Sequence, residues 1–244
     1  MKILISNDDG VFSKGIQTLI NTLKDFGDIW VVAPNENKSA ASSSLSVQKD
    51  IYIKEISPQI YSVAGTPSDC VHLALTGMLN VNFDLVITGI NFGANLGDDV
   101  IYSGTVAGSI EGRFLGLPSI AISLASWEGK YFNTAAKVAN ILVGNLNKSQ
   151  LNSSTILNVN VPDIPFEDLQ GFEVTSLGSR HPSEKSIKIS ENIYRIGANG
   201  AEDNNSIGTD FYAIKENKVS ITPLQIDLTK NNEINTLKSW INTF

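Results

Sequence analysis

Two adjacent carboxylates, Asp8 and Asp9, close the opening stretch MKILISNDDG, and they are the residues here best suited to hold a cation. The apolar run Ile3, Leu4, Ile5 precedes them and Gly10 follows. This pattern predicts a buried first strand of a parallel sheet ending in a turn. Ligands of open α/β sheets bind outside the carboxyl ends of the strands. Neighbouring residues of a strand point to opposite faces, so both carboxylates reach one ion only if the chain turns, which Gly10 permits. Asp-Asp-Gly also makes an ordinary turn whose carboxylates accept local N–H groups.

The other polar side chains that follow predicted strands are Ser39, Ser43, Asn91, Asn95, Ser103 and Thr105. All offer oxygen, which suits Mg²⁺, Mn²⁺ or Ca²⁺ rather than Zn²⁺. Zinc would want clusters of His and Cys, and the chain has only His72, His181 and Cys70. His72 reads as a packed residue of an apolar helix, and His181 lies in a polar loop before Pro182. No G-x-S-x-G elbow supports a serine hydrolase, and Cys70 among apolar neighbours is a poor nucleophile. The glycine-rich segment 89–105 matches neither the dinucleotide nor the Walker fingerprint. A cation that acidifies a bound water fits this inventory best.

Alternating strand and helix signals position these groups. Residues 14–26 place Ile16, Leu19, Ile20 and Leu23 on one helical face, and Gly27 ends it. Residues 29–33 form a second buried strand, and the serine-rich loop 35–46 leaves its end at the same sheet edge as Asp8. Residues 51–57 and 60–63 read as paired strands. Thr66, Pro67 and Asp69 have the spacing of a capped helix start, and the helix runs to Leu79. A strand over 83–88 leads into 89–105 and another helix. There Gly104, Gly108 and Gly112 leave one face bare for close approach to the sheet. Strand 118–124 and helix 131–146 follow, and the polar stretch 145–154 is the one subdomain boundary. Beyond it come a strand at 155–161, a hairpin from 211–214 and 218–222, and a terminal helix over 233–244.

Composition narrows the partners. In 244 residues the net charge is −7, against a general nucleic-acid or anionic-membrane binder. An anionic substrate then needs a local cation or a helix amino terminus. One cysteine forbids an internal disulfide and fits a reducing compartment. The opening residues do not read as a signal peptide, no apolar run is long enough to span a bilayer, and the expected location is cytoplasmic.

Taken together, NDDG (7–10), NKSAAS (37–42), GTPSDCV (65–71), TGINFGANLGDDVIYSGTVAG (88–108), EGRFLGLPSIAIS (111–123) and ITPLQIDLT (221–229) resemble the SurE family of 5′/3′-nucleotidases across almost the whole chain. The resemblance implies a Rossmann-like core with helices on both faces and a C-terminal extension containing a β-hairpin and a terminal helix. It implies one domain over 1–244, with the core to about 145 and an oligomerisation part over about 146–244. Metal ligands fall on Asp8, Asp9, Ser39 and Asn91, of which Asp8 and Asp9 are also catalytic. Residues on the phosphate side fall on Asn95, Ser103, Gly104 and Thr105, although Ser103 and Thr105 also suit a plain helix cap. The implied cofactor is one divalent metal ion, Mg²⁺ or Mn²⁺, with Ca²⁺ as a bound, non-activating ion. The implied reaction is hydrolysis of nucleoside 5′- and 3′-monophosphates, extending to short polyphosphate, by a homodimer or homotetramer. Where the family's serine loop carries Arg-Ser-Gly, this chain has Lys38-Ser39-Ala40, which keeps the charge but lacks the bidentate fork. Two rivals stand beside this expectation. An aspartyl-phosphate phosphatase would need Asp-x-Asp where the aspartates here are adjacent. A non-catalytic nucleotide sensor could use the same ligands without turnover.

Overall fold

A computed structural model describes residues 1–148 and 151–244, so Ser149 and Gln150 of the polar stretch 145–154 lie outside the described residues. The chain runs β1 (Lys2–Ser6), α1 (Lys14–Leu23), β2 (Asp28–Pro34), β3 (Ile53–Ser57), β4 (Ile60–Val63), α2 (Pro67–Leu73), β5 (Leu85–Phe92), α3 (Gly104–Phe114), β6 (Ser119–Leu124), α4 (Phe132–Asn145) and β7 (Ile156–Val161). It continues through β8 (Phe172–Val174), β9 (Ser179–Arg180), β10 (Ile187–Ser190), β11 (Ile193–Arg195), β12 (Glu202–Asn204), α5 (Asp210–Lys215), β13 (Val219–Leu224) and α6 (Ile234–Ile241). Among the described residues no helix is long and apolar enough to cross a membrane.

The main sheet has the order β3-β4-β2-β1-β5-β6-β7-β13-β8. From β4 to β7 every pairing is parallel, whereas β3 and β13 run antiparallel to β4 and β7. After β1 the chain builds outward through β2 on one side, then returns to add β5 on the other. The point where the order reverses is therefore the β1/β5 crevice, where such sheets bind ligands.

Period-two alternation splits β1 between two cores. Ile3 and Ile5 pack with Ile16, Leu19 and Leu23 of α1 and with Ala135, Val138 and Ala139 of α4. Leu4 points the other way and packs with Val71 of α2 and with Val32 and Val86. The bare face of α3 lies against that second side. A Cβ on Gly108 would stand 2.8 Å from Thr88 Cγ2, and one on Gly112 2.8 Å from Val86 Cβ. At the start of α2, Thr66 Oγ1 accepts from Asp69 N–H (3.1 Å) and Asp69 Oδ2 accepts from Thr66 N–H (2.9 Å), the predicted reciprocal cap.

Several elements differ from the sequence expectations. β5 does not stop at Thr88 but continues to Phe92 through a bulge. Thr88 pairs with Ala121 and Asn91 with Ser123, so three steps on β5 match two on β6. Gly89 makes room for it, since a Cβ there would lie 2.2 Å from Ile122 O. α2 ends at Leu73 and widens into a π turn over Ala74–Met78. The expected hairpin over 211–222 is a helix followed by a strand. Thr209 Oγ1 accepts from Tyr212 N–H (3.3 Å) at the start of α5, and Phe211 and Ala213 are buried. β13 then joins the main sheet between β7 and β8. The C-terminal hairpin lies instead at β10–β11. The terminal helix α6 is present and exposed along its length.

Candidate active site

The turn after β1 is built by Asn7. Its side-chain amide donates to Gly10 O (2.9 Å) and Ser13 Oγ (2.8 Å), while Gly10 takes a φ of 99°. Asp8 is buried beneath this turn and Asp9 is half-buried at its rim. Thr105 Oγ1 donates to Asp8 Oδ1 (2.6 Å), and Phe92 N–H donates to Asp9 Oδ2 (3.0 Å). Both carboxylates thus meet groups delivered by β5 and α3. Burial pushes the Asp8 carboxyl above its ordinary range, against the opposing hydrogen bonds from Thr105 and its own backbone. Burial and the neighbouring Asp8 charge raise Asp9 to about 6, against the Phe92 N–H. Among the described residues no Lys, Arg or His forms an ion pair with either.

The serine loop reaches this turn through its backbone. Lys38 N–H donates to Asp8 O (2.7 Å), which ties the backbone preceding the exposed Ser39 to the Asp8 turn. Lys38 itself pairs with Glu36 (2.5 Å). Farther along, Ser46 donates through N–H (2.7 Å) and Oγ (2.8 Å) to Asp69, tying the loop to the cap of α2. Ser43 lies exposed on the loop between these anchors. Asn91, near the carboxyl end of β5 after the bulge, is held by its Nδ2 donating to Gly93 O (2.8 Å).

The amino end of α3 abuts Asp8. A Cβ on Gly104 would lie 2.9 Å from Asp8 Cβ and 3.0 Å from Asp8 Oδ2. Ser103 is the N-cap, its Oγ accepting from Val106 N–H (3.0 Å). Thr88 Oγ1 donates to Thr105 O (2.6 Å) and anchors that first turn to β5. Asn95 is buried. Its Nδ2 donates to Ser123 Oγ (2.7 Å), its N–H to Asn160 Oδ1 (2.8 Å), and its carbonyl accepts from the amides of Asn158 and Asn160. These contacts hold the loop between β5 and α3.

Asn158 and Asn160 are not among the candidates read from the sequence, although two amides two residues apart on a buried strand are a signal. Asp210 is not among them either. It accepts from Gly97 N–H (2.7 Å), Gly178 N–H (2.8 Å) and Phe211 N–H (2.9 Å), pinning the same loop from α5. His72 is not a packed core residue; it is partly exposed and lies 2.6 Å from Glu111 on α3. His181 lies 3.5 Å from Asp203, on the exposed β9–β12 ribbon. Cys70 is buried, with its thiol pushed well up by that burial and by the Asp69 charge.

Among the described residues no three of His, Cys, Asp and Glu come together as a metal cluster. Asp8 and Asp9 follow β1, Asn91 lies near the end of β5, and Ser39 follows the residue whose backbone N–H binds Asp8. Fold and site together define a doubly wound α/β protein with an acidic pair, one buried and one half-buried, at the switch point of its sheet. The family model described as "Survival protein SurE" matches residues 3–184, and the chain belongs to the SurE family. It is 58% identical over 244 residues to the 5′-nucleotidase SurE of Vesicomyosocius okutanii, covering 99% of this chain and 98% of that one. It is 51% identical over 245 residues to the 5′-nucleotidase SurE of Coxiella burnetii, covering 99% and 95%. The crystal structure of the SurE protein from Aquifex aeolicus superposes with a TM-score of 0.88 at 39% identity, over 98% of this chain and 99% of that one.

Proposed function

We propose that this protein is a 5′-nucleotidase, a divalent-cation-dependent phosphatase that hydrolyses nucleoside monophosphates to nucleoside and phosphate. One observation carries the proposal: the adjacent Asp8 and Asp9 have no cationic partner among the described residues, and the buried Asp8 lies against the amino end of a helix. Two carboxylates raised by burial call for a cation. An all-oxygen donor set suits Mg²⁺ or Mn²⁺. Asp8, Asp9, Ser39 and Asn91 are the residues that would hold it. When bound, such a cation polarises the phosphoryl group and lowers the pKa of an attacking water.

The chain's own groups do the rest. Thr105 fixes one oxygen of Asp8, and Phe92 N–H fixes one of Asp9. Asp9, the more exposed of the two, is assigned to orient the attacking water. Ser103, Gly104 and Thr105 form the amino end of α3, where N–H groups and the macrodipole favour a phosphate by about 1 kcal/mol. Asn95 belongs to the phosphate side as the residue that holds the loop beneath it. Nucleoside 3′-monophosphates and short polyphosphates present the same terminal phosphoryl group and belong to the substrate panel. The relatives' shared name, 5′-nucleotidase SurE, supports the substrate class.

A homodimer or homotetramer is part of the proposal. Exposed apolar side chains gather on α6 (Leu237, Trp240, Ile241) and on β10–β11 (Ile187, Ile189, Ile193). The test of function is phosphate release from a panel of monophosphates by chelator-treated protein, before and after adding Mg²⁺ or Mn²⁺. Release that depends on the cation is expected. Cation-dependent binding without release would make the protein a sensor.

A further inference from the structure

Asp8 and Asp9 look onto different surroundings. Asp8 meets the amino end of α3. Asp9 instead lines a cleft of about 470 Å³ on the α1/α4 side, together with Lys14, Asn37, Phe92, Glu128 and Phe132. Its size is that of a small-molecule site.

Two aromatic rings line this cleft, and a third packs on one of them. Phe92 stacks on Phe132 with centroids 6.4 Å apart and planes at 23°, and Trp127 meets Phe92 edge-on at 5.9 Å. Phe92 is nonetheless 38% exposed and Trp127 79% exposed. Phe92 is also the residue whose N–H holds Asp9 Oδ2, so the ring platform and the carboxylate are fixed to each other. The polar rim is suited to a heterocycle. Asn37 Oδ1 accepts from Ser39 N–H (2.8 Å), and its Nδ2 makes no bond among the described residues. Glu128, whose Oε2 pairs with Lys130, adds its other carboxylate oxygen as an acceptor. Lys14 Nζ lies 5.1 Å from the Phe132 centroid and donates to Gly129 O (3.3 Å), bracing the floor.

We infer that this cleft seats the nucleobase of the substrate, with Phe92 as its stacking platform and Asn37 and Glu128 as its polar contacts. The inference rests on the nucleotidase proposal and adds where the rest of the nucleotide lies. With the phosphate at the α3 end, Asp9 stands between the two ends of the substrate. A base has a π-face that an exposed ring can stack on whatever its sequence of donors, and a purine offers more of it than a pyrimidine.

The experiment compares kcat/KM for adenosine 5′-monophosphate with kcat/KM for ribose 5-phosphate, which lacks the base, in wild type, Phe92→Leu and Phe92→Tyr. Loss of base stacking is expected to lower the ratio of the two by about 5- to 150-fold in Phe92→Leu. Phe92→Tyr, which keeps the π-face, restores it. Equal losses on both substrates would make Phe92 a mere support of Asp9 and overturn the inference, as would an unchanged ratio. If wild type turns over neither substrate, the nucleotidase proposal fails, and calorimetric binding of adenosine 5′-monophosphate with Mg²⁺ decides the cleft separately. Weaker binding by Phe92→Leu supports it, and unchanged or undetectable binding overturns it.

Discussion

Gly104→Ala probes whether the amino end of α3 is set against Asp8 for chemistry or only for packing. The added Cβ would lie 2.9 Å from Asp8 Cβ and 3.2 Å from Pro67 Cγ. Carbon contacts settle at about 3.5–4.0 Å, so Asp8 or the first turn of α3 must move by about 0.6–1.1 Å. Overpacking of this kind costs about 1–3 kcal/mol, and at the first residue of α3 alanine recovers little of the helix-interior preference. The net loss of stability is therefore modest. Catalysis is far more sensitive, since a 1 Å misplacement lowers rates by about 100-fold. Gly112→Ala is the matched control: its Cβ would press on Val86 Cβ at 2.8 Å, two turns farther along the helix. Melting temperature and kcat/KM for adenosine 5′-monophosphate are measured on both. Similar melting losses are expected, with a roughly 10- to 100-fold activity loss confined to Gly104→Ala. Parallel activity losses in both variants, or near-normal turnover in Gly104→Ala, would refute the argument.

Asp163 Oδ1 accepts from Tyr131 N–H (2.6 Å) and Oδ2 from Lys130 N–H (3.0 Å) at the start of α4, so Asp163→Ala should cost about 0.5–2 kcal/mol in denaturant titration. Burial raises the Asp163 carboxyl, but those N–H groups, Ser126 and the Lys130 charge outweigh it and leave it lowered. Its stabilisation is then present above the ordinary carboxylate value and lost as pH falls through the lowered one; Asp163→Asn should flatten that acid limb of the stability curve. Asp210→Ala strands three N–H groups, at about 1–3 kcal/mol for a buried donor, and hydrogen exchange should speed up at Gly97 and Gly178. For the assembly, the number of subunits given by solution mass should fall when the chain ends at Thr229, which removes α6; a full-length monomer at micromolar concentration would reject the oligomer.

The sequence carried the parts of this architecture that depend on local chemistry. Thr66, Pro67 and Asp69 announced the start of α2 because a cap needs only neighbours. The glycines at 104, 108 and 112 announced close packing because their period is that of one helix. The two short apolar runs of residues 211–222 satisfy either period, and Thr209 with Asp210 decides the first for the helix. The bulge in β5 was invisible because β6, about thirty residues downstream, defines it. Asn95 was legible as a candidate, but the amides that hold it, Asn158 and Asn160, come from a strand more than sixty residues away. Lys38, next to Ser39, reaches Asp8 through its backbone N–H, a contact that side-chain identity does not record.

The most direct measurement is phosphate release from adenosine 5′-monophosphate by chelator-treated protein, titrated with Mn²⁺, for wild type and Asp8→Asn side by side. The acidic pair as a cation-dependent catalytic centre predicts that wild type is silent until Mn²⁺ is added, and that Asp8→Asn stays silent while melting normally. Turnover by chelated wild type, or near-normal cation-stimulated turnover by Asp8→Asn, would contradict it.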